Sequence, residues 1–123
     1  MVVDDEPYIQ ELYKAMLPIA GHTIVESAYN GQEAVSRYEG LESKPDIILM
    51  DHRMPVKSGL EATREIVARD PGARVLVISA DASVQSRCSM AGAVGFLEKP
   101  FTMEVLFKTI ELAIRAPTLH ARP

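Results

Sequence analysis

The chain has 123 residues, of which 47% are hydrophobic and 24% charged, so it can form one globular domain with a single core. Its net charge of −4 argues against direct nucleic-acid binding, because proteins that bind nucleic acid carry a basic surface. The longest unbroken apolar runs have four or five residues, far short of the roughly 20 that cross a bilayer, and we expect neither a membrane span nor a secretory leader.

Short apolar runs alternate with longer segments in which apolar residues recur every three or four positions. The short runs predict five β-strands, at Val2-Val3, Thr23 to Glu26, Ile47 to Met50, Arg74 to Ile78 and Val94 to Leu97. The longer segments predict helices between the strands, the first over Tyr8 to Ala20 and the last over Met103 to Arg115. Strands that alternate with helices in this way predict an α/β fold with a parallel sheet and helices on both faces.

Several helix ends are marked by capping residues. Asn30 stands three residues before Glu33 and Ser58 three residues before Glu61, a spacing that satisfies free backbone donors at a helix start. Pro7 suits a first helical turn, where its missing N–H has no intrahelical partner. Asp70-Pro71-Gly72 and Ala91-Gly92-Ala93 predict the ends of the third and fourth helices.

Polar residues follow four of the predicted strands. They are Asp4-Asp5 after the first strand, Asp51 after the third, Ser79 after the fourth and Lys99-Pro100 after the fifth. The carboxyl ends of parallel strands meet at one edge of the sheet, where ligands of open α/β proteins bind. The sequence therefore predicts one pocket that contains three carboxylates, a hydroxyl and a lysine.

The charges of this pocket predict a bound divalent cation. Ionised Asp4, Asp5 and Asp51 carry three negative charges, and Lys99 offsets only one of them. Carboxylate oxygens, a backbone carbonyl and water are the ligands that Mg²⁺ prefers. A zinc site is not expected, because His22, His52, His120 and the single Cys88 have no zinc-ligand spacing. Cys88 also excludes an internal disulfide, fits a reducing cytosol, and is expected to be a small buried side chain.

A carboxylate in such a pocket is able to attack a phosphoryl donor and carry the group as an acyl phosphate. Phosphorylation would convert Asp51 to a group of about −2 charge, and this product is disfavoured unless Lys99 and a metal ion both offset it. Each residue alone also has an ordinary interpretation. Asp4-Asp5 fits a helix cap, Asp51 a turn, Ser79 a solvated hydroxyl and Lys99-Pro100 a surface dipeptide. These ordinary interpretations explain less well why all four groups of residues occur together, each directly after a predicted strand.

The motifs form a recognisable set. They are Val2-Val3-Asp4-Asp5-Glu6-Pro7, Pro45 to Asp51, Met54-Pro55, Ser58-Gly59-Leu60-Glu61, Ile78-Ser79-Ala80, Gly92-Ala93, Gly95-Phe96-Leu97 and Lys99-Pro100-Phe101. With them the chain resembles, over nearly its whole length, the receiver domains of two-component response regulators, which are CheY-like. The resemblance implies a flavodoxin-like, doubly wound three-layer sandwich with strand order 2-1-3-4-5.

The resemblance also implies a role for each residue of the pocket. Asp51 would accept the phosphoryl group, and Asp5 and Asp51 would bind Mg²⁺ through their side chains. Arg53 would supply its backbone carbonyl to the metal, and Asp4 would act mainly through water.

A second group of residues would respond to phosphorylation. Ser79 would be the switch hydroxyl and Lys99 the cation that binds the phosphoryl group. A cis peptide bond before Pro100 would aim the lysine. Phe96 would be the aromatic switch residue, although an ordinary buried core aromatic is an alternative.

The chain departs from the family in three places. Its first strand has only three residues before Asp4, which suggests an upstream start. Ser79 stands where threonine is commoner, but the hydroxyl is kept. Arg53 and Asp81 occupy variable positions two residues beyond Asp51 and Ser79, and their opposite charges suggest a gate over the pocket.

The implied partners are a sensor histidine kinase, which donates the phosphoryl group, and a downstream effector protein or output domain. The expected output surface is formed by the fourth helix, fifth strand and fifth helix, and dimerisation on phosphorylation stays open. We expect a cytoplasmic signalling domain over residues 1–116, with 117–123 as a tail or linker, and only slow autodephosphorylation.

Three other functions are alternatives to the receiver domain. A phosphohydrolase with an aspartyl-phosphate intermediate usually has a second acid two residues after its nucleophile, and this chain has Arg53 there. A receiver used as a constitutive interaction module would not need the complete acceptor set. A flavin-binding electron carrier would need a Ser/Thr/Gly-rich phosphate loop after the first strand.

Overall fold

The computed structural model describes residues 1–118 as a five-stranded parallel sheet with helices on both faces. The strand order is β2-β1-β3-β4-β5, as the resemblance implied. The strands are β1 (Val2–Val3), β2 (Ser27–Ala28), β3 (Ile48–Asp51), β4 (Val75–Ser79) and β5 (Gly95–Glu98). The helices are α1 (Pro7–Met16), α2 (Gly31–Gly40), α3 (Gly59–Arg69), α4 (Gln85–Met90) and α5 (Met103–Arg115), with 3₁₀ turns over Leu17–Ala20 and Ala82–Val84.

Two hydrophobic cores lie on opposite faces of the sheet. Successive side chains of a strand point to opposite faces, so Met50 and Val77 pack with α2, α3 and α4, while Leu49 and Ile78 pack with α1 and α5. All residues of β3 and β4 are buried, because helices cover both faces of these central strands. The sheet is therefore a rigid base whose carboxyl edge remains available for a site.

The predicted helix starts are confirmed. The Asn30 side chain accepts a hydrogen bond from the Glu33 amide at the start of α2. Ser58 and Glu61 form a reciprocal capping box at the start of α3. Pro7 is at the first position of α1. The side-chain caps of Asn30 and Ser58 each contribute about 1 kcal/mol of helix stability.

The predicted second strand is wrong in position. Thr23 to Glu26 lies outside the strand ladder, although the Glu26 carbonyl accepts the Val2 amide at 3.1 Å, and β2 comes directly after it at Ser27–Ala28. The pairing of Val2 with Ser27 decides this, because β1 offers only two residues as partners and residues before Ser27 lie beyond its ladder. The third, fourth and fifth strands each begin and end one residue later than predicted.

The predicted first helix is only partly correct. The α-helix ends at Met16, and Leu17–Ala20 continues as a 3₁₀ turn that Gly21 closes with a φ of 87°. Pro18 is the physical reason, because its ring lacks an N–H and clashes with the carbonyl four residues earlier.

The predicted end of the domain falls close to the end of α5. α5 ends at Arg115, and the Arg74 guanidinium donates to the Ala116 carbonyl at 3.2 Å, which ties the end of the helix to the residue before β4. The predicted tail over 117–123 and His120 lie largely outside the described residues, and the boundary at 116 stays a prediction. Across residues 1–118, every helix is too short or too polar to cross a bilayer.

Candidate functional site

The predicted site residues of four strands meet at the carboxyl edge of the sheet. Asp51 and Ser79 are the last residues of β3 and β4, Asp4 follows β1, and Lys99 follows β5. The register places Asp51 beside Ile78 and Ser79 beside Glu98, so the polar residues of adjacent strands end at one level. The convergence that the sequence predicted is therefore present.

Three carboxylates form the centre of the site. Oxygen atoms of Asp4, Asp5 and Asp51 all lie within 4.8 Å of one another, and Asp4 and Asp51 are only 2% and 7% exposed. One Asp4 oxygen accepts the Glu6 amide at 3.0 Å. The other, Oδ2, is buried and has no hydrogen-bond partner within residues 1–118. We call these three carboxylates and Lys99 the acid pocket.

The acid pocket fits a hard divalent cation. Buried carboxylates are unfavourable beside one another unless a positive charge compensates them, and oxygen donors are what Mg²⁺ binds. The unpartnered Asp4 Oδ2 is a buried acceptor without a donor, as expected for a group that binds a metal ion or its water. The donor set of the pocket is therefore compatible with Mg²⁺.

Lys99 lies directly against the predicted acceptor. Its Nζ donates to Asp51 Oδ1 at 2.6 Å, with the lysine side chain 35% exposed. The peptide bond between Lys99 and Pro100 is cis, in agreement with the expectation from sequence. The ion pair joins the end of β3 to the loop that follows β5.

Burial and mutual repulsion shift the titration of the pocket. Burial raises the pKa of Asp4 to about 6, although the Glu6 amide opposes the shift. Burial also raises the pKa of Asp51, against the opposing influence of Lys99. Burial alone would lower the pKa of Lys99, but the hydrogen bond and charge of Asp51 outweigh it and raise that pKa. The lysine therefore stays charged while the carboxylates are held in an unfavourable environment.

Ser79 and the two residues of the predicted gate are connected through Asp81. The buried Ser79 hydroxyl accepts a hydrogen bond from the Asp81 amide at 3.0 Å. Asp81 Oδ2 is 3.7 Å from the Arg53 guanidinium, and its Oδ1 accepts from Ser83. The hydrogen bonds from Ser83 lower the pKa of Asp81, so this carboxylate is ionised. The predicted proximity of Arg53 and Asp81 is present.

Phe96 lies in β5 beside Val77 of β4. Its side chain is partly buried and packs against the core on the α2, α3 and α4 face. This position is compatible both with a switch residue and with a core aromatic.

Two contributors to the site were not identified from the sequence. Gly59 begins α3 so close to β3 that an added Cβ would lie 2.1 Å from the Asp51 carbonyl oxygen, which explains why glycine is needed there. Gln10 of α1 is fully buried and donates from Nε2 to the carbonyls of Asp4 and Ala28, at 3.1 and 2.8 Å. Its spacing from Tyr13 and Leu17, which are also buried, could have shown that it faces inward.

Comparisons with known proteins agree with this geometry. The family model described as "Response regulator receiver domain" matches residues 1–111. The chemotaxis protein CheY of Thermotoga maritima is 38% identical, in an alignment of 82% of this chain and 84% of that protein. The CheY of Listeria monocytogenes is 34% identical over 94% of this chain and 97% of that protein.

A solved structure extends the similarity to three dimensions. It is the Thermotoga maritima response regulator TrrA in complex with Mg²⁺-BeF, which has a TM-score of 0.81 and 33% identity. The alignment covers 91% of this chain and 95% of TrrA. The family match over residues 1–111 and the structural similarity to TrrA lead to one conclusion: the protein belongs to the response regulator receiver domain family.

Proposed function

We propose that Asp51 accepts a phosphoryl group from a phosphohistidine of a sensor histidine kinase, in a reaction that depends on Mg²⁺. Receiver domains act in two-component signalling, bind Mg²⁺ at their acidic pocket and interact with histidine kinases and effector partners. The specific donor, acceptor and output of this chain are the proposal.

One observation carries the proposal. Asp51 is at once a member of the carboxylate cluster and the hydrogen-bond partner of Lys99 at 2.6 Å. A structural ion pair would need only one carboxylate for one lysine. Three acids with one lysine leave an excess of negative charge that favours binding of a cation, which is what phosphoryl transfer to a carboxylate requires.

In the transfer, an Asp51 carboxylate oxygen attacks phosphorus and forms a P–O bond while the P–N bond to the donor imidazole breaks. The electron pair of the broken bond stays on the imidazole nitrogen, which then takes up a proton. Lys99 keeps its proton and stays close to the charge that accumulates on the phosphoryl oxygens. The chain thus contributes position and charge compensation.

The residues assigned to the metal are those of the acid pocket and the adjoining loop. Asp5 and Asp51 would bind Mg²⁺ through side-chain oxygens, Arg53 through its backbone carbonyl, and Asp4 through water. The bound ion would compensate the charge on the phosphoryl oxygens. The unpartnered Asp4 Oδ2 supports this assignment.

Ser79 and Phe96 would convert phosphorylation into a change of surface. The Ser79 hydroxyl would leave the Asp81 amide and donate to a phosphoryl oxygen, and Phe96 would pack inward. Two charge-assisted hydrogen bonds of roughly 1.5–3 kcal/mol each supply about 3–6 kcal/mol. A shift of a two-state population from 1:99 to 99:1 needs about 5.5 kcal/mol, so the magnitude suffices to change the α4-β5-α5 face for an effector.

The same site supports a signalling role better than turnover as a hydrolase. Receiver domains are signalling domains and not enzymes in the usual sense. Arg53 stands where a phosphohydrolase would have its general acid and base, and it is 81% exposed. We therefore propose only slow autodephosphorylation, in a cytoplasmic protein that does not contact nucleic acid or membrane directly and that dimerises, if at all, on phosphorylation.

The central test is Asp51→Asn. Intact mass measured after incubation with a small phosphoryl donor and Mg²⁺ should show one added phosphoryl group on the unaltered protein and none on the variant. Asp46→Asn is the matched control, because Asp46 is an exposed aspartate in the loop before β3. It should be labelled as well as the unaltered protein.

Persistence of labelling in a folded Asp51→Asn protein would contradict the assignment of the acceptor. Labelling of the unaltered protein that is unaffected by removal of Mg²⁺ would contradict the metal dependence. Many rounds of phosphate release from a generic phosphoester would favour the hydrolase instead.

A further inference from the structure

Gln10 is a polar residue on the inner face of α1. Its side chain is 0% exposed, and its Nε2 donates to two main-chain carbonyls, those of Asp4 at 3.1 Å and Ala28 at 2.8 Å. Its Oε1 is buried and has no hydrogen-bond partner among the described residues. The Gln10 side chain therefore connects α1 to the ends of β1 and β2.

The two carbonyls belong to the ends of neighbouring strands. Ala28 is the last residue of β2, and Asp4 directly follows β1. The Ala28 carbonyl also accepts the Asp4 amide at 3.1 Å, so Gln10, Asp4 and Ala28 form a closed set of hydrogen bonds. Because β1 has only two residues in its ladder, the backbone from which the Asp4 and Asp5 side chains project depends strongly on this set.

Core packing alone does not account for the residue. A buried acceptor without a partner, such as Gln10 Oε1, is destabilising compared with an apolar group of the same shape. Methionine has a similar length, is unbranched and would fill the same space without the unpartnered oxygen. The carboxamide is therefore explained by what its Nε2 holds and not by the volume that it fills.

We propose that Gln10 is a positioning residue for the Mg²⁺ site, an inference that rests on the proposed function of the acid pocket. By fixing the Asp4 carbonyl, Gln10 keeps Asp4 Oδ2 and the Asp5 carboxylate close to Asp51. Residues that orient metal ligands without touching the metal typically change metal affinity 10–100-fold when they are replaced. Gln10 has this relation to two of the three carboxylates.

The test is Gln10→Met, with Mg²⁺ affinity measured by calorimetry and stability measured without metal by thermal unfolding. We expect the Mg²⁺ dissociation constant to rise about tenfold, and the midpoint of unfolding without metal to fall, because the Asp4 carbonyl loses the donor that Gln10 supplies. The amide resonance of Glu6, which donates to Asp4, should move in the variant and report the displaced carboxylate. A merely structural residue would lose stability and leave Mg²⁺ affinity of the folded protein unchanged.

Thr63→Val is the matched control. Thr63 is also fully buried and donates from its side chain to a carbonyl, that of Gly59 at 2.7 Å, but this bond stays within α3. Its loss should leave the Mg²⁺ dissociation constant within twofold. If Gln10→Met does not fold, Gln10→Asn serves instead, because it keeps the amide but is one methylene too short to reach both carbonyls, and it should weaken Mg²⁺ binding in the same way.

The outcomes separate this inference from the proposed function. Mg²⁺ binding by a folded Gln10 variant within twofold of the unaltered protein would overturn the role of Gln10 alone. Failure of the unaltered protein to bind Mg²⁺ would overturn the proposed function and the role of Gln10 with it. A tenfold loss in the Gln10 variant and none in Thr63→Val would support both.

Discussion

The acid pocket and the packed faces of α2 and α3, which we call the α2–α3 layer, contain similar polar residues but differ in how these residues are paired. In the α2–α3 layer the polar groups are paired: the Tyr38 hydroxyl with Asp70, Lys57 with Glu65 at 2.6 Å, and Ser58 with Glu61. In the acid pocket, one lysine faces three carboxylates and a buried oxygen of Asp4 has no partner among residues 1–118. The paired groups of the α2–α3 layer stabilise the folded chain. The acid pocket has excess negative charge and a buried acceptor without a donor, which a bound cation would compensate.

This difference indicates that the α2–α3 layer stabilises the fold, whereas the acid pocket costs stability for the sake of its function. Paired polar groups contribute modestly to stability, and an unpaired buried one costs more than a pair contributes. The acid pocket should therefore destabilise the protein without metal at neutral pH, and a cation that binds there should stabilise it by mass action. Replacements in the two regions should change stability in opposite directions.

The largest effect is expected for Asp4→Asn. The pKa of Asp4 is about 6 in the folded chain, above the ordinary value of 3.8, so the folded state binds more protons than the unfolded state between these pH values. Stability without metal should therefore fall as pH rises from 4 to 6. At 1.36 kcal/mol per pH unit the loss is up to about 3 kcal/mol at pH 7, and Asp4→Asn should recover most of it.

Urea unfolding at pH 5 and pH 7, with and without Mg²⁺, checks this prediction. At pH 7 the variant should be more stable than the unaltered protein, and at pH 5 this difference in stability should be smaller. The variant should also gain less stability from Mg²⁺. A variant that is equally stable or less stable at pH 7 would mean that the acid pocket is not a destabilised region. Asp46→Asn, in an exposed loop, serves as the control for loss of an acid elsewhere.

The acid pocket was predictable because its position follows from topology. Once the chain alternates strands and helices, residues after successive parallel strands must lie at one edge of the sheet. The direct contact of Lys99 with Asp51 also depends on the strand order, which places β3 and β5 on either side of β4. The strand order itself came from the resemblance, because alternation alone allows several orders.

The features that the sequence analysis misplaced or missed depend on contacts between residues that are far apart in the chain. Thr23 to Glu26 has the β-branched residues of a strand, yet pairing requires a neighbour, and on this side of the sheet β1 pairs with Ser27 and Ala28. Gln10 interrupts the apolar stripe of α1 with a polar residue, and only three-dimensional contacts show why it is buried.

A smaller effect of opposite sign is expected for Tyr38→Phe in the α2–α3 layer. The ring of Tyr38 is buried and its hydroxyl donates to the Asp70 carboxylate, which joins α2 to the end of α3. Removal of the hydroxyl should lower the free energy of unfolding by about 1.5 kcal/mol, the lower end of the range for a hydrogen bond to a charged group, because Asp70 is only partly buried. Urea unfolding should show the same loss with and without Mg²⁺. A loss that disappears when Mg²⁺ is added would show that the two regions are coupled.

The smallest effect on stability is expected for Arg53→Ala, at the mouth of the acid pocket. The Arg53 guanidinium is 3.7 Å from Asp81 and its side chain is 81% exposed, so solvent screens the ion pair and it should contribute little to stability. The sequence predicts a second role for the pair, because a guanidinium and a carboxylate that closed over Asp51 would limit the approach of water to a phosphoryl group there. Arg53→Ala should leave the unfolding midpoint almost unchanged, whereas Asp81→Ala also removes the acceptor of the Ser83 hydrogen bonds and should lower it slightly. Both variants should alter the rate of dephosphorylation, measured by loss of the added mass after the phosphoryl donor is removed. Lys14→Ala, which removes an exposed pair with Glu11 on α1, controls for the general effect of losing a surface charge. If both gate variants lose phosphate at the rate of the control, the contact between Arg53 and Asp81 is an ordinary surface ion pair.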